Sequence, residues 1–340
     1  MLILRFSSLG DVAITIPVIR CLLQTYKNLQ ITIVGREGME PLFDEFDNIT
    51  FFPVDFSRKY NGLKGIYRLF VDLRKLSITG VADLHSVIRT HILRVFFKMS
   101  LFRVKKIKKA RFEKYLLTRK KNKKFQPLTP TIYRYADVFR RLGFPIDLQI
   151  HEFPFKKEIP AQILPKDLYK SSNKKWIGVA PFAAFPGKIY PLDLMQRVIS
   201  FLQKEYRIFL FGSGKKEKEK FDIWEAAYPN VHSTLGLISF RDQLNLISNL
   251  DLMISMDSAN GHISSNFGIP TITIWGVTHP FCGFSPFGQS IENSFFLDRM
   301  KYPMIPTSIY GNKIFKGYQK AFRDIEPKEI IEKAIEILSK

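Results

Sequence analysis

The sequence predicts an α/β protein built from two doubly wound parallel-sheet domains. Three observations carry this. Short β-branched or aromatic runs alternate with amphipathic stretches, the alternation starts afresh near Lys174, and a Pro/Ser-bearing segment separates the two series.

In the first series, strands are expected at Leu2–Phe6, Gln30–Val34, Thr50–Val54, Val81–Leu84 and Phe102–Lys106. Helices are expected at Val12–Tyr26, Glu37–Phe46, Leu63–Leu76 and Ser86–Met99. The second series has strands at Trp176–Ala180, Arg207–Phe211, Val231–Ser233, Leu252–Ser255 and Thr271–Trp275. Its helices are Pro191–Glu205, Lys216–Ala227, Arg241–Asn249 and Ala259–Phe267, with Pro191 suited to a first turn, where a missing N–H costs nothing. A last helix, Pro327–Leu338, follows an irregular region containing Pro303 and Pro306. The expected division is 1–155, a linker at 156–173 that holds Pro160, Pro165, Ser171 and Ser172, then 174–325, and a C-terminal helix at 326–340 that could pack on the first domain.

A chain of 340 residues, 46% apolar and 24% charged, suits two globular domains and excludes fibrous and disordered classes. Two cysteines, Cys21 and Cys282, exclude a disulfide scaffold and suit a reducing compartment. The first seven residues are too short for a signal core, and no run approaches about 18 apolar residues, so a cytoplasmic protein is expected.

The net charge of +21 is uneven. Residues 1–150 carry 28 Lys/Arg against 12 Asp/Glu, a net +16, and much of the excess lies in Arg103–Lys124. Such a half faces either solvent or a polyanion: nucleic acid, an anionic membrane, or a phosphorylated glycolipid.

Open α/β sheets bind ligands at the carboxyl ends of their strands, so motifs there carry the most information. Ser7-Ser8-Leu9-Gly10-Asp11 leaves strand one; Asp11 is either a helix cap or a catalytic base. With Gly10 its only glycine, the loop is neither G-x-G-x-x-G nor a P-loop. In Pro181-Phe182 to Gly187-Lys188, a lone lysine precedes a helix start, where it is either solvated or placed to neutralise phosphate. Gly212-Ser213-Gly214 with Glu217 is a tight βα turn or a ribose and phosphate cradle.

Asp257-Ser258-Ala259-Asn260-Gly261-His262 gathers polar groups at a strand end that opens a helix, where N–H groups and hydroxyls converge on a place for a diphosphate. His262 falls one turn beyond Ser258. Trp275-Gly276-Val277-Thr278-His279 either lines a cleft or supplies a core Trp and a surface His. Asp83-Leu84-His85 with Arg89 ends a strand in polar groups. The six histidines show no H-E-x-x-H spacing and Asp-x-Asp is absent, so no metal site is expected.

Taken in order, Gly10-Asp11 with Pro17, Asp83-Leu84-His85 with Arg89-Thr90, Gly187-Lys188-Ile189-Tyr190-Pro191, Asp257–His262 and Trp275–Pro280 resemble the ADP-heptose–lipopolysaccharide heptosyltransferases, glycosyltransferase family nine. The likeness spans about residues 1–290. It implies the GT-B fold, two Rossmann-like domains facing each other across a cleft. It also implies inverting transfer of heptose, or a related sugar, from an ADP-sugar to the inner core of lipopolysaccharide at the cytoplasmic face of the inner membrane.

On that resemblance Asp11 is the general base, while Lys188 and the Asp257–His262 loop stabilise the leaving diphosphate. Donor contacts are then Phe182, Ser213, Gly214, Glu217, Asp257, Ser258, Ala259, Asn260 and His262. Acceptor contacts are Ser8, Gly10, His85, Arg89, Thr278 and His279. No cofactor beyond the ADP-sugar donor is implied. The expected partners are an anionic lipopolysaccharide core and an anionic membrane surface touched peripherally by a monomer. A nucleic-acid-binding protein is the rival from another class; no RNP, zinc-finger or helix-turn-helix signature supports it. A nucleotide-sugar epimerase would keep the second domain's site without needing the basic first half.

Overall fold

A computed structural model describes residues 1–160 and 174–340. The chain divides into two compact units: 1–109 with 129–152, and 110–128 with 153–340.

The first unit holds a five-stranded parallel sheet, β1 (Leu2–Leu4), β2 (Ile31–Arg36), β3 (Ile49–Val54), β4 (Val81–Asp83) and β5 (Val104–Lys106), in the order β3-β2-β1-β4-β5. Central β1 pairs with β2 and β4, Leu2 lying opposite both Thr32 and Val81. A strand covered on both faces must be apolar throughout, and all three β1 side chains are buried.

Helices α3 (Gly62–Arg74) and α4 (Ile88–Met99) pack together and bury Ile66, Leu69, Phe70, Leu73, Leu93 and Phe97 against Leu2, Leu4 and Val81. Before them, α1 (Leu9–Ala13) and α2 (Thr15–Thr25) replace the single helix expected at Val12–Tyr26. The helix expected at Glu37–Phe46 shrinks to a 3-10 turn at Glu40–Phe43, since Gly38 holds φ +85° and Pro41 lacks an N–H.

The second unit has six parallel strands: β6 (Trp176–Ala180), β7 (Arg207–Leu210), β8 (Val231–Ser233), β9 (Leu252–Met256), β10 (Thr271–Trp275) and β11 (Ser294–Phe296). Their order is β11-β10-β9-β6-β7-β8. Each sheet therefore reverses its winding beside its own first strand, between β1 and β4 and between β6 and β9. In doubly wound sheets that reversal opens the ligand crevice.

Three expectations are corrected. Residues 110–128 join the second unit, not the first. There α5 (Arg111–Thr118) seats Leu117 with Cys282 and Ile309, and the Lys123 ammonium donates to the carbonyls of Leu117 and Pro306. This moves charge as well. The first unit carries 21 Lys/Arg against 12 Asp/Glu, a net +9, and the second 31 against 19, a net +12. The excess is shared.

The C-terminal helix does not join the first unit. Residues Pro327–Leu338 pack on the helix Leu192–Leu202, burying Ile330, Ala334 and Leu338 in the second unit's core. Pro191 is the N-cap of Leu192–Leu202, one residue outside its first turn. Of the expected linker, Pro165, Ser171 and Ser172 lie outside the described residues.

The other α-helices among the described residues are α6 (Thr131–Leu142), α7 (Leu192–Leu202), α8 (Lys215–Ala227), α9 (Phe240–Ile247), α10 (Ala259–Asn266) and α11 (Pro327–Leu338). None among the described residues is long and apolar enough to cross a membrane.

Candidate functional site

In the first unit, chemistry collects where β1 and β4 end. Ser8, in extended conformation, is the N-cap of α1, so Asp11 is the helix's third residue and not its cap. Its Oδ2 pairs with Arg5 at 2.5 Å and accepts the Ser8 hydroxyl at 2.9 Å. Arg5 is buried and donates a further bond to the Leu84 carbonyl, 2.9 Å away, which ties the β1 loop to the β4 loop. Gly10 is the helix's second residue and its carbonyl accepts from the Ile14 N–H. Arg5 was not singled out from the sequence. An arginine closing an otherwise apolar strand, six residues before an aspartate, was the available signal.

The β4 loop is built by Asp83, fully buried, whose Oδ1 accepts the N–H groups of His85 (3.0 Å) and Ser86 (2.7 Å) while Oδ2 meets Arg94 at 2.9 Å. His85 stands edge-on to Phe6, and its buried Nδ1 has no partner among the described residues. Burial, with Arg5, Lys109 and Arg89 around it, holds the imidazole down at about 3 against the pull of Asp11. It is neutral at pH 7. Arg89 is exposed, its guanidinium 4.8 Å over the Phe56 ring.

In the second unit the reversal between β6 and β9 brings together Lys188 and Asp257. Lys188 ends a 3-10 turn at Pro186–Lys188, and its ammonium donates to the Asp257 carbonyl at 3.0 Å and pairs with Asp257 Oδ2 at 2.8 Å. An ammonium has three donors; two are engaged.

The turn is set by close packing of glycines. A Cβ on Gly187 would lie 2.5 Å from the Gly311 carbonyl oxygen, and one on Gly276 would lie 2.4 Å from the Gly187 oxygen. Gly311, at φ +80°, lies against the Lys188 stem. Gly311 lies beyond the part of the chain where motifs were recognised.

Ser258 is the extended N-cap of α10, yet its hydroxyl turns to Ser255 Oγ at 3.1 Å and caps nothing. The first-turn N–H groups, at half-buried Ala259 and Asn260, thus have no side-chain cap. They point to where an anion would sit. His262 lies inside, 6% exposed.

After β7, Glu217 accepts the Ser213 N–H at 2.6 Å, and burial raises its carboxyl above the usual range against that bond. It shapes the exposed Ser213-Gly214 turn. Phe182 packs on Phe221, centroids 5.6 Å apart.

The loop after β10 is more enclosed than expected. His279 is no surface residue: it is 4% exposed, its ring lies against Phe125, Phe281 and Phe296, and its Nδ1 accepts the Phe281 N–H at 3.1 Å. Burial and Arg299 hold it at about 4. Thr278 is fully buried and its hydroxyl has no partner among the described residues. Trp275 is core.

Cys21 and Cys282 are buried thiols pushed up to about 11 and about 12, so neither is a ready nucleophile. Among the described residues no group of three or more His, Cys, Asp or Glu could hold a metal.

Comparison with known proteins gives the two units a common context. The sequence model of the family described as "Glycosyltransferase family 9 (heptosyltransferase)" matches residues 67–304. Lipooligosaccharide heptosyltransferase 2 of Campylobacter jejuni is 23% identical over 329 residues, 95% of this chain and 94% of that protein. A family 9 glycosyl transferase structure from Veillonella parvula superposes with a TM-score of 0.75 at 18% identity, covering 99% of this chain and 96% of that one. The structure of E. coli heptosyltransferase WaaC with ADP superposes at 0.67 and 15% identity, covering 99% of each chain.

Proposed function

The chain belongs to glycosyltransferase family 9, the heptosyltransferase family, and on that premise we propose that it moves heptose, or a related sugar, from an ADP-sugar to the inner core of lipopolysaccharide with inversion. The reading places the work at the cytoplasmic face of the inner membrane, by a monomer in peripheral contact with it.

The observation that carries the donor assignment is the Lys188–Asp257 pair at the strand-order reversal of the second unit, beside the uncapped first turn of α10. A departing diphosphate needs positive partners that are already in place. The remaining Lys188 donor and the N–H groups of Ala259 and Asn260 supply them, and Asp257 holds the lysine in position. Ser258, His262, Phe182 and the Ser213-Gly214 turn with Glu217 complete the donor side. WaaC, a heptosyltransferase with the same fold, was solved with ADP, and the Campylobacter relative is named for lipooligosaccharide.

On the acceptor side Asp11 takes the proton from the attacking hydroxyl with its carboxylate, which Arg5 and Ser8 hold at Oδ2. As that hydroxyl oxygen bonds to the anomeric carbon, the bond to the diphosphate breaks. Ser8, Gly10, neutral His85 and cationic Arg89 are the acceptor contacts proposed for the first unit; Thr278 and His279, expected as acceptor contacts, are buried in the second unit and shape their own loop instead.

A donor screen by thermal shift tests the reading. ADP should raise the midpoint well above the shift given by UDP or GDP, and ADP-heptose should be consumed with lipopolysaccharide core as acceptor. Equal indifference to all three nucleotides would sink the donor assignment.

A further inference from the structure

The outer face of α3 and α4 carries an apolar band with cations along both margins. On α3, Leu63, Tyr67 and Val71 are exposed and recur every four residues, which puts them in one stripe. On α4, Ile88, Val95 and Met99 are exposed at spacings of seven and four, again one stripe. Leu63, Ile88 and Met99 are 70%, 81% and 76% exposed, and what separates them from scattered surface apolars is that they fall in contiguous stripes.

The two stripes join across the helix pair, where Tyr67 meets Phe96 edge-on with centroids 5.5 Å apart. At 100° per residue, Lys64, Arg68 and Lys75 fall on the side of the α3 stripe away from α4. Lys98 falls on the side of the α4 stripe away from α3. Residues 61–105 contain nine Lys/Arg and only two acids. Neither acid is free: Asp72 pairs with Lys59 and Lys75, and Asp83 is buried against Arg94.

We propose that this α3–α4 face docks on the anionic headgroup surface of a lipid bilayer. Apolar side chains enter the headgroup boundary while the flanking ammonium and guanidinium groups meet lipid phosphates, the arrangement that favours an interfacial helix pair. The lysine-rich 110–124 run is cationic too, but it belongs to the second unit and folds Lys123 inward. The assignment rests on the proposed lipid-linked acceptor for its purpose, not for its geometry.

The experiment is vesicle co-sedimentation of the full chain. Vesicles of phosphatidylcholine mixed with phosphatidylglycerol should retain the protein, vesicles of phosphatidylcholine alone should not, and added salt should release it. Each lost surface cation should weaken binding roughly fivefold, so Lys64→Glu/Arg68→Glu/Lys98→Glu should lose at least about a hundredfold. Tyr67→Ser/Met99→Ser should lose roughly tenfold or more through the apolar area withdrawn. Phe112→Ser, on exposed α5, should change nothing. All variants should keep the wild-type melting curve and its shift with ADP.

Failure to bind the mixed vesicles overturns the proposal, as does wild-type binding by either multiple variant, or an equal loss with Phe112→Ser. A chain that responds to ADP without binding vesicles sinks the docking face alone. One that binds vesicles but ignores ADP sinks the donor assignment alone.

Discussion

Asp11 gives one carboxylate oxygen to two partners: Oδ2 meets Arg5 at 2.5 Å and the Ser8 hydroxyl at 2.9 Å. Because Arg5 is buried and anchored to the Leu84 carbonyl, the carboxylate is held between two fixed partners. A general base needs that kind of fixed position.

Asp11→Asn keeps the shape and removes the proposed base. Transfer should fall by about 10²–10⁴-fold, measured as heptose incorporation at saturating donor, with ADP affinity near wild type. Activity within about tenfold of wild type would exclude the base role. Loss of the fold would assign Asp11 to holding Arg5.

The Lys188–Asp257 pair separates stability from chemistry. Lys188 and Asp257 side chains are 15% and 4% exposed, so Lys188→Met leaves a carboxylate buried without its partner and should cost about 3 kcal/mol in urea unfolding. Adding Asp257→Asn should recover most of that loss. Transfer should stay down by about 10²–10³-fold in both variants if the ammonium serves the leaving group. Recovery of transfer along with stability would reduce Lys188 to a structural role.

Gly187→Ala tests whether the glycine packing positions the lysine. Its Cβ would lie 2.5 Å from the Gly311 carbonyl oxygen and 2.5 Å from a Val277 methyl, and the Gly311 backbone does not yield cheaply. We expect a loss of about 1–3 kcal/mol and roughly tenfold weaker ADP binding by calorimetry, equivalent to about 1.4 kcal/mol. Unchanged ADP affinity would detach the turn from the donor site.

His279 should leave an acid limb in the stability profile. The folded chain refuses its proton until about pH 4, whereas the unfolded chain takes it near the ordinary value of 6.5. Between those two values the unfolded chain holds more protons, so this contribution is complete above pH 6.5 and drains away as pH falls toward 4. His279→Asn keeps a side-chain acceptor for the Phe281 N–H but cannot titrate. Its unfolding midpoint should decline less than wild type's across that window. Parallel curves would mean the ring is not held neutral.

Local pattern made much of the fold legible. Trp176–Ala180, Val231–Ser233 and Thr271–Trp275 are strands end to end, and Pro327 opens the last helix, because β-branched runs and a first-turn proline are decided within a few residues. Three-residue β11 has too little pattern to register. The helices α5 and α6 sit among cations that mask their apolar spacing. The assignment of residues 110–128 to the second unit was invisible, since it depends on contacts from Leu117 and Lys123 to residues near 282–309. In the candidate site, Asp11, Lys188 and Asp257 announced themselves at strand ends. Arg5 and Gly311 did not, because their roles exist only once distant loops are brought together.

The course of the chain also sets an order of events during synthesis. Every residue of the first unit has been made once residue 152 is joined, but 110–128 then still lacks the partners that bury it. The carbonyl of Pro306 that receives Lys123 is made 183 residues after that lysine. At roughly 5–20 residues per second, that is a wait of about 10–40 s. Residues 119–124 hold five cations in six positions, so that waiting stretch is strongly hydrophilic. A chain ended at 152 should therefore carry 110–128 as a protease-sensitive loop.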